Sequence, residues 1–234
     1  MLSAPGNGAA APSFHRPTRG AIRLDALRLD PEPLQADLRR LEQTVQWTPQ
    51  KDGEHWAQIT LLKNEYRHPV LKDCPAIERA IAALPSRPLD ACLKLLGPGG
   101  FVHEHRDITG ATPMGAVRMI VPIVTHPEVE FEVNGKRLFL RPGEAWFLDT
   151  SYRHRVANKS TVPRVHLIIS LELDRSLRAL LPGPDVWDRL HDAGFWLLCV
   201  GKAFAHMADP RHLYRLVRSV VRQRILRKST LPWL

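Results

Sequence analysis

The spacing of hydrophobic and polar positions changes twice along the chain and divides it into three regions. In residues 25 to about 90, a helical period is mixed with a strand-like alternation, which is clearest in the stretch WAQITLLK. From Cys92 to Leu173, short apolar runs are separated by glycine and proline turns, and from Asp174 onward the period is helical again. This order predicts a central β-region with helices before and after it. The first helical period falls on Leu34, Leu38, Leu41 and Val45.

The central region has the signals of an antiparallel β-protein. Its apolar runs are ACLKLL, AVRMIVPIV, VEFEV, KRLFL, EAWFL and PRVHLIISLEL, and GPGG at residues 97–100 predicts a turn after the first of them. Asn134-Gly135 separates two alternating runs, and this pair favours a type I′ hairpin turn, which requires positive φ at both central positions. Many short strands joined by such turns predict a sandwich or barrel rather than a parallel α/β sheet.

Composition limits the class of protein and its location. With 234 residues and 44% apolar content, the chain can bury one sizeable core. It has no run of 18 uncharged apolar residues, so we expect a soluble protein without a transmembrane segment. Cys74, Cys92 and Cys199 form neither a disulfide framework nor a thiolate zinc pattern, which fits a reducing cytoplasm. We therefore expect a cytoplasmic protein.

The positive charge lies at the two ends of the chain. The net charge is +9, but residues 211–228 hold seven basic side chains and no acid, and the rest of the chain beyond residue 24 is close to neutral. A neutral body does not predict a specific nucleic-acid partner. Residues 1–24 are rich in Gly, Pro, Ala and Ser and lack the apolar core of a secretory signal, so we expect a disordered arm. The expected domains are this arm, a barrel over 25–175 with its lead-in, and a helical, basic extension over 176–234.

Residues 211–228 predict an amphipathic helix with an apolar stripe on one face and arginines on another. Such a helix usually packs its stripe on the body of the protein or on a second subunit. Two sharper alternatives are an acidic carrier protein that bears an aminoacyl substrate and an anionic membrane surface. The sequence does not choose among them.

The segment HEHRD, residues 103–107, follows an apolar run and predicts a metal-binding end of a strand. Because side chains alternate across a strand, His103, His105 and Asp107 share one face. Neighbours on one face are roughly 6.5 to 7 Å apart at Cα, so an imidazole and a carboxylate can both reach one ion. His105 and Asp107 are therefore a candidate chelating pair, and His103 is interpreted as a side chain of the pocket wall.

A third ligand is expected from a distant part of the chain. His154 follows His105 by 49 residues, a gap that holds four strands of ordinary length and would return the chain to its start in a closed double-stranded β-helix. Arg164 begins the last apolar run, and an arginine aimed into a barrel is costly unless it binds a carboxylate. Two histidines and one aspartate leave coordination positions free, which is the arrangement of non-haem Fe(II) sites that take a 2-oxo acid and dioxygen.

These residues resemble the aspartyl/asparaginyl β-hydroxylase and proline hydroxylase family of Fe(II)- and 2-oxoglutarate-dependent dioxygenases. The resemblance is carried by PGG-x-V-x-x-H-x-D, GEAWFLD-x-S-x-x-H and PR-x-HLII, in this order, within roughly residues 45–175. It implies a mainly β fold, a jelly-roll or cupin-like double-stranded β-helix with flanking N-terminal helices and a C-terminal helical extension. It also implies hydroxylation of an amino acid, aminoacyl or peptidyl substrate of the Asp, Asn or Pro type, with Fe(II), 2-oxoglutarate and O2.

The resemblance assigns roles residue by residue. His105, Asp107 and His154 match the iron ligands, and Arg164 matches the anchor of the distal carboxylate of 2-oxoglutarate. Arg118 corresponds to a family arginine that faces cosubstrate or substrate, although Ile120 stands where the family often has a histidine.

Other interpretations of the same residues stay open at this point. PGEAWFLDTSYRHRVAN loosely matches the second motif of cupins, which share the barrel and bind metal without 2-oxoglutarate. Three histidines, with His103 included, would favour a cupin-like site. Asp149 more plausibly caps a turn than binds iron, and His166 is expected to pack behind the site.

Overall fold

The computed structural model describes residues 14–50 and 53–205 of the 234-residue chain. Twelve strands and four helices are found there, together with two short 3-10 helices at Pro69–Asp73 and Thr112–Met114. The strands are β1 (Phe14–Thr18), β2 (Ala21–Arg28), β3 (Thr48–Pro49), β4 (Gly53–Lys63), β5 (Tyr66–Arg67), β6 (Pro88–His105), β7 (Ala116–Val124), β8 (Val129–Val133), β9 (Lys136–Leu138), β10 (Glu144–Leu148), β11 (His154–Asn158) and β12 (Arg164–Glu172). The helices are α1 (Pro31–Glu42), α2 (Pro75–Ile81), α3 (Arg175–Arg178) and α4 (Val186–Ala205).

The strands form an antiparallel double-stranded β-helix, so the predicted mainly β fold is confirmed. The neighbours run in the order β1-β2-β10-β7-β12-β6-β11-β8-β9, with β4 added along β6 and the short β3 and β5 paired with β4. The long strand β6 belongs to both halves of the barrel. Its residues 88–96 pair with β12, whereas its residues 101–105 pair with β11.

The glycine-rich stretch at residues 97–100 is an irregularity within β6 and not the turn that its composition predicts. The register between β4 and β6 passes from Trp56 opposite Leu96 to Glu54 opposite Phe101, so β6 carries extra residues at this point. Gly99 has a positive φ of 73°, a conformation that costs a glycine little. The bulge lets one continuous strand leave β12 and join β11.

The hairpin at Asn134-Gly135 forms as predicted. Both residues have positive φ, 49° and 74°, and they connect β8 to β9. The four strands expected between His105 and His154 are also present, as β7, β8, β9 and β10. The chain therefore returns to the end of β6 by the route that the sequence predicted.

The buried hydrophobic residues form two main clusters, one between the barrel and the helices α1 and α2 and one inside the barrel. Along β6, Ala91 and Leu93 face outward and pack with the buried leucines of α1 and with α2, whereas Leu96 faces into the barrel. The predicted helical period is observed in α1, where Leu34, Leu38 and Leu41 are buried. The inner cluster therefore forms apolar walls of the barrel interior, where the polar side chains described below also lie.

The expected disordered arm is wrong for its last residues. β1 and β2 form a hairpin, and β2 pairs with β10 from Ala21 opposite Leu148 to Arg28 opposite Glu144. Ala21 and Leu24 are buried, so the segment adds apolar surface to the barrel as well as backbone hydrogen bonds. The composition of residues 1–24 hid this strand because its apolar residues Ala21, Ile22 and Leu24 come only at the end of that stretch. Residues 1–13 lie outside the described part of the chain.

Helix α4 packs on the same end of the barrel as the β1–β2 hairpin. Arg16 donates to Asp188 at 2.5 Å, and Arg19 donates to Asp185 at 2.8 Å. The ring of His191 stacks on Tyr152 with 3.7 Å between centroids. None of the described helices is long and apolar enough to cross a membrane. The predicted basic helix at 211–228 lies outside the described residues.

The contact between α1 and α2 generates a stability prediction. Asp37 of α1 is 3% exposed and accepts hydrogen bonds from the backbone N–H groups of Ala76 and Ile77, at 2.7 and 3.0 Å, in the first turn of α2. Asp37→Ala leaves both donors buried and unpaired, so we expect a loss of about 2 to 4 kcal/mol in the free energy of unfolding, measured by urea denaturation. The matched control Asp73→Ala, at an exposed site, should change it by less than about 0.5 kcal/mol.

Candidate metal centre and its cavity

The three predicted ligands lie together where β6 and β11 meet. His105 is the last residue of β6, His154 is the first of β11, and the two are direct cross-strand partners with 4.3 Å between ring centroids. Asp107 follows two residues after His105. Ligand atoms of all three lie within 4.8 Å of one another, and this is the one candidate metal cluster found within residues 14–50 and 53–205.

Backbone carbonyls fix which nitrogen of each histidine faces the centre. Nδ1 of His105 lies 2.7 Å from the carbonyl of His103, and Nδ1 of His154 lies 3.0 Å from the carbonyl of Tyr152. A carbonyl only accepts, so each Nδ1 must carry the proton and each Nε2 presents a lone pair. The two Nε2 atoms point toward Asp107, at 3.6 and 3.9 Å from its carboxylate oxygens. Such carbonyl contacts are the usual way of orienting metal-binding imidazoles.

The protonation states also suit a cation. Burial, and then the neighbouring His105, lower the pKa of His154 to about 4, so its imidazole is neutral at physiological pH. Burial raises the pKa of the Asp107 carboxyl, but the Arg118 guanidinium and the two histidines outweigh burial and hold the pKa below its usual value. The imidazoles of His105 and His154 and the carboxylate of Asp107 form a donor set that fits a divalent metal with open positions.

A short loop holds the carboxylate ligand in place. The backbone N–H of Asp107 donates to the carbonyl of Thr150 at 2.9 Å, and the Thr150 hydroxyl donates to the carbonyl of Thr109 at 2.8 Å. Thr150 is fully buried directly after β10. Asp149 accepts from the backbone N–H groups of Thr112 and Ser151, at 3.0 Å each, and so caps the adjacent turn, as the sequence suggested. Thr150 was missed because a threonine in a turn carries no sequence signal of its own.

Arg164 lies at the start of β12 as a buried cation without a counter-ion. Its side chain is 4% exposed, and it forms no ion pair with a carboxylate among the described residues. One Nη donates to Nδ1 of His166 at 2.6 Å, and Nε has no hydrogen-bond partner within the described chain. Burial lowers the pKa of Arg164 to about 9. A guanidinium in this state fits the carboxylate of a bound ligand, and His166 packs behind it as expected.

Arg118 lies on β7 beside the metal cluster, but its guanidinium already has a partner. Nη1 donates to Oδ2 of Asp107 at 2.8 Å, and Nη2 reaches the carbonyl of Thr109 at 3.3 Å. The sequence placed Arg118 at this pocket but did not foresee the contact with a metal ligand. Its predicted contact with cosubstrate or substrate stays a prediction.

The cluster opens into a cavity of about 860 Å3 inside the barrel. His103 lines this cavity and packs its ring against Phe101, but it does not join the metal cluster, which agrees with its interpretation as a wall residue. A side chamber of about 180 Å3 shares part of the wall. Sequence reasoning missed three of the shared or nearby wall residues, Trp56, Gln58 and Lys94. The signal for the last was a lone charge in the apolar run ACLKLL.

Comparison with known proteins gives a family and a fold. The family model described as aspartyl/asparaginyl β-hydroxylase matches residues 21–173, whereas no curated protein sequence matches the chain. The solved structure of SnoN, a non-haem α-ketoglutarate-dependent epimerase of nogalamycin biosynthesis, aligns with a TM-score of 0.51 at 14% identity over 65% of this chain and 76% of that one.

A second solved structure shares the same architecture. An oxidoreductase of the 2OG-Fe(II) oxygenase family from Burkholderia pseudomallei aligns with a TM-score of 0.50 at 13% identity, over 67% of this chain and 87% of that one. At such identities these two likenesses support the jelly-roll fold alone. The match of the family model to most of the chain goes further, and with it the chain belongs to the aspartyl/asparaginyl β-hydroxylase family.

Proposed function

We propose that the protein is an Fe(II)- and 2-oxoglutarate-dependent hydroxylase. The observation that carries this proposal is the buried guanidinium of Arg164, which has no counter-ion among the described residues and lies in the same cavity as the His105, Asp107 and His154 cluster. A metal centre alone would not require that cation, whereas a dicarboxylic cosubstrate bound to the metal would supply its missing partner. The family is one of hydroxylases, SnoN is an α-ketoglutarate-dependent epimerase and the Burkholderia protein belongs to the 2OG-Fe(II) oxygenases, which supports the same cosubstrate here.

Each residue of the site has a defined task in this proposal. His105 and His154 hold a metal through Nε2, and Asp107 holds it through its carboxylate. When bound, Fe(II), 2-oxoglutarate and dioxygen supply an oxidation that replaces a C–H hydrogen by hydroxyl, with succinate and carbon dioxide as coproducts. Arg164 binds the far carboxylate of 2-oxoglutarate and so orients the cosubstrate in the cavity.

Arg118 contributes by holding Asp107. Its hydrogen bond fixes the orientation of Oδ2 and offsets the charge of the ligand, while Oδ1 stays directed toward Nε2 of His105. This arrangement keeps the carboxylate ionised and in one rotamer before the metal arrives. Pre-oriented ligands of this kind lower the cost of forming the site.

The substrate class follows from the family. An amino acid, aminoacyl or peptidyl substrate with an Asp, Asn or Pro type of reacting unit fits both the family description and the size of the cavity. The alternative, a cupin-type metal protein that does not use 2-oxoglutarate, would leave the charge of Arg164 without a function. A cytoplasmic location and a carrier protein or anionic surface at the basic residues 211–228 belong to the same proposal.

Turnover tests the proposed reaction directly. The full chain with Fe(II), 2-oxoglutarate and air should form succinate, and mass spectrometry of a panel of free amino acids, acidic peptides and carrier-bound aminoacyl groups should find a product heavier by one oxygen atom. Metal binding without any consumption of 2-oxoglutarate would instead support the cupin-type alternative.

The metal ligands are tested without reference to activity. We expect His105→Ala, Asp107→Ala and His154→Ala each to weaken binding of Fe(II), or of Co(II) as a spectroscopic substitute, by about 100-fold or more, because each removes one of three protein donors. Circular dichroism should report a folded barrel for each variant. The control His103→Ala should bind metal as the wild type does, and an equal loss there would favour a three-histidine site.

Replacing each of the two arginines of the cavity, Arg164 and Arg118, should cause a different loss. Arg164→Met removes a charge-assisted contact to the cosubstrate, so the 2-oxoglutarate concentration at half-maximal turnover should rise by a factor of tens while metal affinity is kept. Arg118→Met removes the partner of Asp107, so metal affinity should fall more than the affinity for 2-oxoglutarate. An unchanged 2-oxoglutarate requirement in Arg164→Met would move the anchor to another residue.

A further inference from the structure

Lys94 lines the cavity together with Arg118, Arg164 and Lys63, and none of the tasks above uses it. It lies in the middle of β6 on the inward face, directly opposite Gln58 of β4 on one side and His166 of β12 on the other. Its side chain lines both the main cavity and the 180 Å3 side chamber. Lys94 therefore stands where the two spaces meet.

The ammonium of Lys94 is held in place by an aromatic ring and not by an acid. Nζ lies 4.3 Å from the ring centroid of Trp56, an arrangement that attracts a cation to the face of an indole. Within the described residues, no carboxylate comes within ion-pair distance of it. Burial lowers the pKa of Lys94, and a carboxylate beside the ammonium would reverse that shift. The side chain is thus positioned but not neutralised.

A count of charges around the cavity leaves Lys94 in excess. Arg118 is matched by Asp107, and the two charges of 2-oxoglutarate would be matched by Arg164 and by part of the charge of the metal. Lys63 and Asp90, which also line the side chamber, are cross-strand neighbours of opposite sign. Positive charge would therefore remain when metal and cosubstrate are bound. A partly buried excess charge is stabilised by an anion that enters with the substrate.

We propose that Lys94, held over Trp56 and flanked by Gln58, binds a carboxylate of the substrate, so that the enzyme takes a substrate bearing a free carboxylate in preference to one whose acyl group is esterified or amidated. This inference rests on the proposed function and names the substrate class of that site. The side chamber has room for a carboxylate and the few atoms beside it. The part of the substrate to be oxidised would extend into the main cavity, toward His105 and Asp107.

The geometry also explains why Lys94, and not Arg118, is assigned to the substrate. The Arg118 guanidinium already donates to Asp107 and Thr109, so a substrate carboxylate there would compete with a metal ligand. Lys94 has three N–H donors and no competing acceptor among the described side chains. The amide of Gln58, its direct cross-strand neighbour, can add a neutral donor to the same anion.

The test compares matched pairs of probes on the inactive, metal-loaded protein. The full chain is loaded with Ni(II) and saturating 2-oxoglutarate, and the shift of its melting temperature is titrated with free L-amino acids and short acidic peptides, each beside its carboxamide counterpart. We expect at least one carboxylate to bind roughly tenfold or more tightly than its carboxamide. Lys94→Met should weaken that carboxylate by a factor of roughly 10 to 100 and leave the carboxamide unchanged.

Two control variants separate the outcomes. Lys72→Met, at an exposed lysine, should keep the discrimination, and Lys94→Arg, which keeps the charge, should retain most of it even if Lys94→Met fails to fold. Wild-type protein that never prefers a carboxylate over its carboxamide overturns the inference, and so does weaker 2-oxoglutarate binding in Lys94→Met with substrate affinity kept, since Lys94 would then serve the cosubstrate. Succinate formation reports the proposed function independently of either result.

Discussion

The pairing of β6 first with β12 and then with β11 is the constraint on which the site depends. A single strand that ran straight would bring only one sheet to the cavity, and His105 would have no opposite strand to supply His154. The extra residues at 97–100 let β6 change partners while its side-chain alternation continues on both sides. The inward face of β6 thus carries Lys94 before the bulge. After the bulge it ends with the candidate ligand His105, which lies opposite His154 of β11. Ligand geometry is therefore a consequence of strand register.

Electrostatics explains why the polar side of the barrel tolerates the buried cation of Arg164 and the partly buried cations of Arg118 and Lys94. Arg118 offsets its burial with a direct bond to Asp107, whereas Arg164 and Lys94 are supported only by neutral groups, a histidine nitrogen and an indole face. Proteins rarely keep a cation away from solvent without a counter-ion unless a bound ligand supplies the negative charge. The unsatisfied state of these two side chains is the physical sign that the cavity receives anions.

The sequence predicted the parts of this site that depend on local pattern and on counting strands. The alternation in HEHRD and the four strands between His105 and His154 are sufficient to bring two histidines and a carboxylate together, and the Asn134-Gly135 turn marks one of those strands. It did not reveal Trp56 and Gln58, because their position beside Lys94 depends on the pairing of β4 with β6 across more than thirty residues of intervening chain. Nor did it reveal that Arg118 bonds to Asp107, since that contact arises from side chains on a strand and a loop whose separation no local pattern encodes. The β1–β2 hairpin was missed for a similar reason, because an edge strand takes its stability from the sheet it joins.

Tyr152 gives the C-terminal extension a connection to the metal centre. Its carbonyl accepts a hydrogen bond from Nδ1 of His154. Its ring stacks on His191 of α4, and its hydroxyl donates to Asp188. Tyr152 therefore both orients a proposed iron ligand and contacts a helix that packs outside the barrel. A chain that ended after β12 would lose α4 and its stacking on Tyr152, so the orientation of His154 depends in part on a helix that packs outside the barrel.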